Sequence, residues 1–436
     1  MKKINYSKHI IKKITTKKAS IGIIGLGYVG LPLSILCVKK GFKVFGFDID
    51  KSKINKINSK VSYIERIKNK DIEILNKKGS FSSKFNNVSK CDIIILCVPT
   101  PLKKNKPYIN HIKSTIKSVK KFLVKGQTII LESTSYPGTT NEEITDKLSN
   151  DFLIGKNLFI GFSSERINPG VNENKIHDVP KVVSGNSKNC KKIISKFYAQ
   201  IFSKIVIANN IEIAEFSKLL ENIYRSVNIG FINEMKLVAD RFKLDIFEII
   251  KIAETKPFGF KRFDPGPGTG GHCIPVDPIY LAYKSKKLGF NPKFIELSAY
   301  TNIRVLAALI KKIFILLKKN DIPKKKAKIL ILGISYKKNV DDMRESAAIR
   351  LLDTLLKKQI KYISFSDPHI KNSINTRTLT FNSKSINITP HNLQKFDITI
   401  LMTDHDKFNY KMIYKHSKII LDTRGKFKVD SKVMRA

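Results

Sequence analysis

At 436 residues and 42% apolar content, the chain is long enough for two or three packed domains. Its formal charge of +45, from 81 Lys and Arg against 36 Asp and Glu, could mark a nucleic-acid binder, but the lysines run along the whole chain instead of gathering on one stripe. No run of about 18 uninterrupted apolar residues suggests a membrane span, and the five scattered cysteines form neither a Cys-x-x-Cys pair nor a Cys/His ligand spacing, which sets aside a disulfide framework and a structural metal.

Residues 1–18 are basic and never open into an apolar signal core, so they read as a short leader onto the first strand and the compartment as cytoplasmic. Residues 20–48 then give an apolar strand, the glycine turn Gly25-Leu-Gly27-Tyr28-Val29-Gly30, an apolar helix and a second strand ending in Asp48. A lone G-x-G-x-x-G carries little, but between a strand and a helix, with an acid about 20 residues on, it is a dinucleotide fingerprint. Pyrophosphate would sit on the helix N-terminus. Asp48 would accept from the adenosine ribose hydroxyls and repel a 2′-phosphate, which favours NAD over NADP.

Further apolar runs read as buried parallel strands. Asp92–Val98 ends in Val98-Pro-Thr100-Pro, Thr128–Leu131 ends in Glu132-Ser-Thr134, and Leu158–Phe162 ends in Ser163-Ser-Glu165-Arg166. Polar residues at successive strand tips mark one rim of a ligand site. Residues 211–253 show helical spacing over many turns, with Lys218 and Asn222 four apart on one face. A second helical stretch, about 292–318, runs into a lysine-rich linker. Strands restart with Lys328–Leu332 and continue through 362–367, 396–403 and 418–424, without a second full glycine fingerprint. The expected fold is α/β: two Rossmann-like, doubly wound parallel-sheet domains joined by a long central helix. The boundaries expected are 1–208 for NAD binding, 209–318 for a central helical part carrying the cysteine loop, and 319–436 for the second sheet domain.

The most telling stretch is Asp264-Pro-Gly-Pro-Gly-Thr-Gly-Gly271-His272-Cys273-Ile-Pro275-Val-Asp277. Free cysteine is most often buried packing. A cysteine behind a run of glycines instead lies where backbone can approach a ligand closely, and a carboxylate follows four residues later. A thiol beside a nicotinamide cofactor suggests oxidation of an alcohol to an aldehyde, capture by the thiolate, a second oxidation and hydrolysis of the thioester.

Taken together, Gly25-x-Gly27-x-x-Gly30, Val98-Pro-Thr-Pro, Glu132-Ser-Thr134, Ser164–Gly170, Lys218 with Asn222, Gly270-Gly-His-Cys273 and Tyr336-Lys337 through Asp342-x-Arg344-Glu-Ser resemble the UDP-glucose/GDP-mannose dehydrogenase family over the chain from about residue 20. The resemblance implies a four-electron oxidation of a nucleotide sugar's C6 alcohol with two NAD, and a homodimer formed through the long helix or a higher homo-oligomer. It implies Cys273 as nucleophile, Lys218 and Asn222 as oxyanion donors that also touch the sugar, and Asp277 as the carboxylate that organises water. It places Glu165 and Thr134 at the hydrolytic water and the nicotinamide end, with Glu165 also on the substrate. Tyr28, Val29, Val98, Thr100 and Arg344 fall to the cofactor. Arg262, Gly271 and Lys337 fall to the UDP-sugar, and Arg424 lies near its phosphates. Two positions depart from the family: Ser164 replaces a common Pro, and His272 stands where the UDP-glucose and GDP-mannose enzymes carry Ser. The segment from His272 through Pro275 is similar to the branch acting on UDP-N-acetylhexosamines, UDP-N-acetylglucosamine first, for surface polysaccharide. Other sugars of the family stay open, as does a two-electron hydroxyacid dehydrogenase.

Overall fold

The structure, a computed structural model, describes residues 5–64, 66–166, 178–271, 273–376 and 379–436. His272 and the 167–170 part of the Ser164–Gly170 motif lie outside them. The chain divides into two compact units, one made of Met1–Glu221 with Ile279–Gly289, the other of Asn222–Pro278 with Phe290–Ala436.

The first unit is built on an eight-stranded sheet of β1 (Ser20–Ile24), β2 (Lys43–Phe47), β3 (Gly79–Ser82), β4 (Ile93–Leu96), β5 (Thr128–Leu131), β6 (Phe159–Ser163), β7 (Lys181–Gly185) and β8 (Ile205–Ile207). Their order across the sheet is β8-β7-β6-β5-β4-β1-β2-β3. The isoleucine-rich β4 and β5 are buried at every residue, as strands covered by helices on both faces must be. The chain winds outward from β1 in one direction through β2 and β3, then returns to β4 and continues the other way. That reversal leaves a crevice at the carboxyl ends of β1 and β4. One pairing breaks the parallel pattern: β7 runs antiparallel to β6, with Gly161 opposite Gly185 and Ser163 opposite Val183, and β8 runs alongside β7 in the same reversed direction.

Most of the expected leader is a helix, Tyr6–Thr15, started by the Asn5 side chain and packed through Ile10 and Ile14, which are 1% and 0% exposed. The isoleucine pair sits at i, i+4, one face of a helix. Among so many lysines that spacing does not stand out. Lys13 anchors the helix to Asp92 at 2.7 Å.

The second unit holds a five-stranded parallel sheet of β9 (Lys328–Leu332), β10 (Tyr362–Ser366), β11 (Ile398–Leu401), β12 (Ile419–Asp422) and β13 (Val433–Arg435), in the order β10-β9-β11-β12-β13. The helix Lys293–Lys319 buries Val305, Leu309, Ile313 and Leu316, again at i, i+4 steps with one three-residue step. Helix Ile211–Arg241 spans 31 residues and contributes its first turns to one unit and the remainder to the other.

The two sheets share a local device. In the first, the amide of Gly25 donates to Phe47 O at 2.8 Å and that of Leu26 to Asp48 Oδ2 at 2.9 Å. In the second, Gly333 donates to Ser366 O at 2.8 Å and Ile334 to Asp367 Oδ2 at 2.8 Å. There the acid is fully buried, and the ring of His405, also fully buried, approaches it with Nε2 3.2 Å from Oδ2.

Candidate active site

In the first unit the crevice is an open cleft of about 650 Å³, with Gly25, Gly27, Asp48, Val98 and Pro99 in its walls. Gly25 adopts φ +94°, and a Cβ there would fall 2.5 Å from Cys97 O, so only glycine makes this turn. Gly27 faces open space with nothing within 4 Å of a Cβ, room that a side chain would take from a ligand. The helix Gly30–Lys39 starts directly behind the turn, so its N-terminus follows the glycines of the cleft wall. Tyr28 and Val29 complete the turn, whose backbone is held by Tyr63 Oη on Leu26 O and by Arg66 on Tyr28 O at 2.9 Å. Asp48 takes the Leu26 amide on one oxygen and the Asp50 amide on the other, and Lys53 approaches at 3.2 Å. Thr100, beyond the end of β4, is buried at 3% exposure. These residues fit a dinucleotide: glycines that leave the turn's near edge clear, a helix N-terminus for pyrophosphate, and an acid for the ribose.

At the neighbouring strand tips, Thr134 follows β5 and Glu165 follows β6. Lys181, at the start of β7, lies 2.9 Å from Glu132 Oε1 and 3.3 Å from Glu165 Oε2. The loop beyond Thr134 is tied to the long helix by Glu215, whose buried carboxylate accepts from the amides of Gly138 and Thr140 at 2.6 and 2.9 Å and from Thr140 Oγ1 at 2.7 Å. Burial pushes the Glu215 carboxyl up to about 7 against the pull of these donors. Lys218, three residues further along the same helix, is 8% exposed. A buried lysine on a helix is not the solvated surface residue that this composition makes common.

In the second unit, Cys273 is a half-buried thiol. The Asp277 amide donates to Cys273 O at 2.9 Å, and the Asp277 carboxylate receives Asn222 Nδ2 at 2.5 Å. Asp277 and Asn222 are 1% and 5% exposed, so this contact is made out of water. The backbone of the glycine run ahead of the cysteine is held by hydrogen bonds to side chains and to another stretch of backbone: Gly266 N to Asn233 Oδ1 at 2.9 Å, Arg350 Nη2 to Thr269 O at 2.5 Å, and Gly271 N to Arg344 O at 2.9 Å. Gly271 has φ +84°, and a Cβ would meet the Tyr336 ring at 2.7 Å. Lys337 follows that tyrosine, and burial first, then the Arg225 charge, pulls its ammonium below the usual range. The Arg344 guanidinium is gripped by both Asp342 oxygens. Arg262 is exposed and pairs with Glu254 and Asp264 at 2.6 and 2.9 Å. Arg424 donates through Nε to Met402 O at 2.7 Å, and its Nη1 lies 2.7 Å from where a Gly266 Cβ would stand. Among the described residues, no group of three or more His, Cys, Asp or Glu could hold a metal ion.

Residues 19–202 match the NAD-binding domain of the UDP-glucose/GDP-mannose dehydrogenase family, 212–304 its central domain and 330–429 its UDP-binding domain. The chain is 32% identical over 361 residues to a UDP-N-acetyl-D-glucosamine 6-dehydrogenase of Pseudomonas aeruginosa, covering 81% of this chain and 84% of that one. It is 31% identical to a UDP-N-acetyl-D-mannosamine dehydrogenase of Pyrococcus horikoshii, over 93% and 95% of the two chains. A solved structure of a UDP-D-ManNAc dehydrogenase from Pyrococcus horikoshii superposes with a TM-score of 0.85 at 28% identity, covering 95% and 98%. The chain belongs to the UDP-glucose/GDP-mannose dehydrogenase family.

Membership makes the chain an NAD-dependent nucleotide-sugar dehydrogenase, with NAD as the hydride acceptor of the cleft and a UDP-binding domain in its C-terminal part. No helix among the described residues is long and apolar enough to cross a membrane. Two groups at the strand tips of this dehydrogenase escaped sequence reasoning, Lys181 and Tyr198. Lys181 opens the run Lys-Val-Val-Ser-Gly, and only the burial of that run in the structure shows that a lysine is out of place there. For the dehydrogenase we expect Asp48→Ala to raise KM for NAD roughly 10- to 100-fold with a smaller change in kcat, the range for losing a charged hydrogen-bond partner. Initial rates against NAD concentration measure it. An unchanged KM would confine Asp48 to bracing the turn.

Proposed function

We propose that this dehydrogenase oxidises the C6 alcohol of a UDP-N-acetylhexosamine, UDP-N-acetylglucosamine before others, to the uronate, with Cys273 carrying the sugar between two oxidations. The observation that carries this reading is the buried Asn222–Asp277 contact on the turn that begins at Cys273. It joins an amide donor and a carboxylate on the turn that starts at the thiol-bearing residue, and these are the groups that thioester chemistry needs. The first hydride leaves C6 for NAD and the alcohol proton goes to the site's base. The resulting aldehyde adds the Cys273 thiolate, forming a thiohemiacetal whose oxyanion Asn222 and Lys218 stabilise. A second hydride leaves for a second NAD, giving a thioester. Water, oriented by Asp277, Glu165 and Thr134, attacks its carbonyl, and the C–S bond breaks to return the thiolate and release the carboxylate. Lys337, Arg262, Gly271 and Arg424 are assigned to the UDP-sugar and Arg344 to the cofactor pyrophosphate, with the product serving surface polysaccharide synthesis.

The choice of sugar rests on the segment Gly271-His-Cys273-Ile-Pro275 and on the similarity to the Pseudomonas aeruginosa relative. UDP-N-acetylmannosamine is the second reading, favoured by the longer overlap with the Pyrococcus horikoshii relative. A spectrophotometric panel of UDP-N-acetylglucosamine, its galacto and manno epimers and UDP-glucose separates them. We expect the highest kcat/KM with UDP-N-acetylglucosamine and two NADH per sugar. A different best sugar would change the substrate and leave the mechanism standing, whereas one NADH per sugar with aldehyde accumulating would end the thioester route.

We also assign a homodimer through helix Ile211–Arg241. Ile213, Phe216, Leu220, Tyr224, Phe231 and Val238 fall at steps of three, four or seven along it, each more than 40% exposed. A stripe of large apolar side chains in water is the surface a second copy would cover.

A further inference from the structure

Buried cations are rare because removing an ammonium from water costs several kcal/mol unless carboxylates compensate it. The Lys181 side chain is 3% exposed and meets two of them: Glu132, whose side chain is fully buried, and Glu165 at 15% exposure. The sheet explains how they meet. Glu132 and Glu165 follow the carboxyl ends of β5 and β6, so a parallel β7 would place its first residue at the opposite edge of the sheet. Because β7 is reversed, with Ser163 opposite Val183, its first residue comes to the same rim, and the register carried two residues further sets Lys181 opposite Glu165.

The cation is enclosed from behind as well. Tyr198, at the end of the helix Lys188–Tyr198, donates its hydroxyl to Glu132 Oε1 at 2.5 Å. Lys181 Nζ lies 5.3 Å from the Tyr198 ring centre and 5.1 Å from that of Phe202. The other titratable groups facing the cluster are Cys97, after β4, and Cys37, on the helix Gly30–Lys39. Burial pushes both thiols and the Tyr198 hydroxyl up, so all three stay neutral. Burial opposes the Lys181 charge, but the two carboxylates outweigh it and hold the ammonium protonated. Burial also raises the carboxyl of Glu132, the deeper of the two acids, against the pull of Lys181 and Tyr198.

We propose that Lys181 is a positioning residue of this dehydrogenase, holding the Glu165 carboxylate ionised and fixed in direction, with Glu132 and Tyr198 clamping the ammonium from behind. The proposal rests on the assignment of Glu165 to the hydrolytic water. A carboxylate that orients water works only while charged, and a fixed cation beside it lowers the pH at which it protonates.

The test is the pH profile of kcat for Lys181→Met, Lys181→Arg, Glu132→Gln and Glu165→Gln, with NAD affinity followed by fluorescence. For Lys181→Met the expected fall in kcat is roughly 10²-fold, within the usual contribution of a positioned acid or base, with NAD affinity unchanged. Its acid limb moves to higher pH, because Glu165 without the cation protonates sooner. Lys181→Arg recovers most of the rate. In Glu132→Gln the limb moves the other way, since Lys181 then serves Glu165 alone. A Lys181→Met enzyme with the parent's rate and acid limb overturns the proposal. Should that variant not fold, an unmoved limb in Glu132→Gln does so. Parental kcat in Glu165→Gln instead removes the assignment of Glu165 itself, whatever Lys181 does.

Discussion

Replacing Cys273 by Ser is expected to abolish turnover to the carboxylate while leaving NAD and UDP-sugar binding close to that of the parent. The two side chains differ by one atom, and Cys273 is half-buried, so the loop has no packing reason to change. The chemistry differs far more. A thiol gives up its proton within reach of neutral pH, whereas a serine hydroxyl stays protonated and needs an adjacent base to attack. The carboxylate nearest in sequence, Asp277, is already engaged by Asn222. A single turnover with stoichiometric enzyme, followed by NADH absorbance and mass spectrometry of the sugar, is the measurement. Sustained formation of uronate by the serine variant would show that no thioester is needed.

The second large effect is expected from Lys218→Ala, a loss in kcat of about 10²–10³, typical of removing one donor to a developing oxyanion. Its charge matches a species absent from both substrate and product, so KM should change much less than kcat. Lys218 is 8% exposed, and a methyl in its place leaves the helix intact, since alanine is the best helix former. Steady-state kinetics with circular dichroism separate the outcomes. Unchanged kcat in a folded protein would remove Lys218 from the reaction.

The parts of this enzyme that were legible in the chain are those whose physics is local. The turn Gly25–Gly30, the helix behind it and Asp48 lie within 24 residues of one another, and each follows from backbone sterics or strand length. Cys273 could be singled out because glycines surround it. Helical spacing put Lys218 and Asn222 on one face, while the roles expected of them came from the resemblance to the family. Lys181 is the contrast. Its meaning depends on β7 being reversed, and nothing in the apolar pattern of a short buried strand records its direction. In a chain with 81 Lys and Arg, one more lysine carries no signal until its burial is known. The helix Tyr6–Thr15 was hidden in the same way, behind lysines that cover its exposed side.

The matched pair Asp48 and Asp367 bears on how cofactor preference could be changed. Both acids receive the amide that follows the glycine of the turn, at 2.9 and 2.8 Å, but Asp48 borders an open cleft whereas Asp367 is fully buried. In the second sheet the His405 ring takes the room beside the acid, and the bond to the turn remains. The carboxylate is therefore a brace for the chain reversal before it is a hook for a sugar, and the two duties can be inherited separately. A redesign toward NADP that simply deletes Asp48 would lose both at once. Asn, which keeps an oxygen for the Leu26 amide while giving up the charge, removes the repulsion toward a 2′-phosphate and leaves the turn braced.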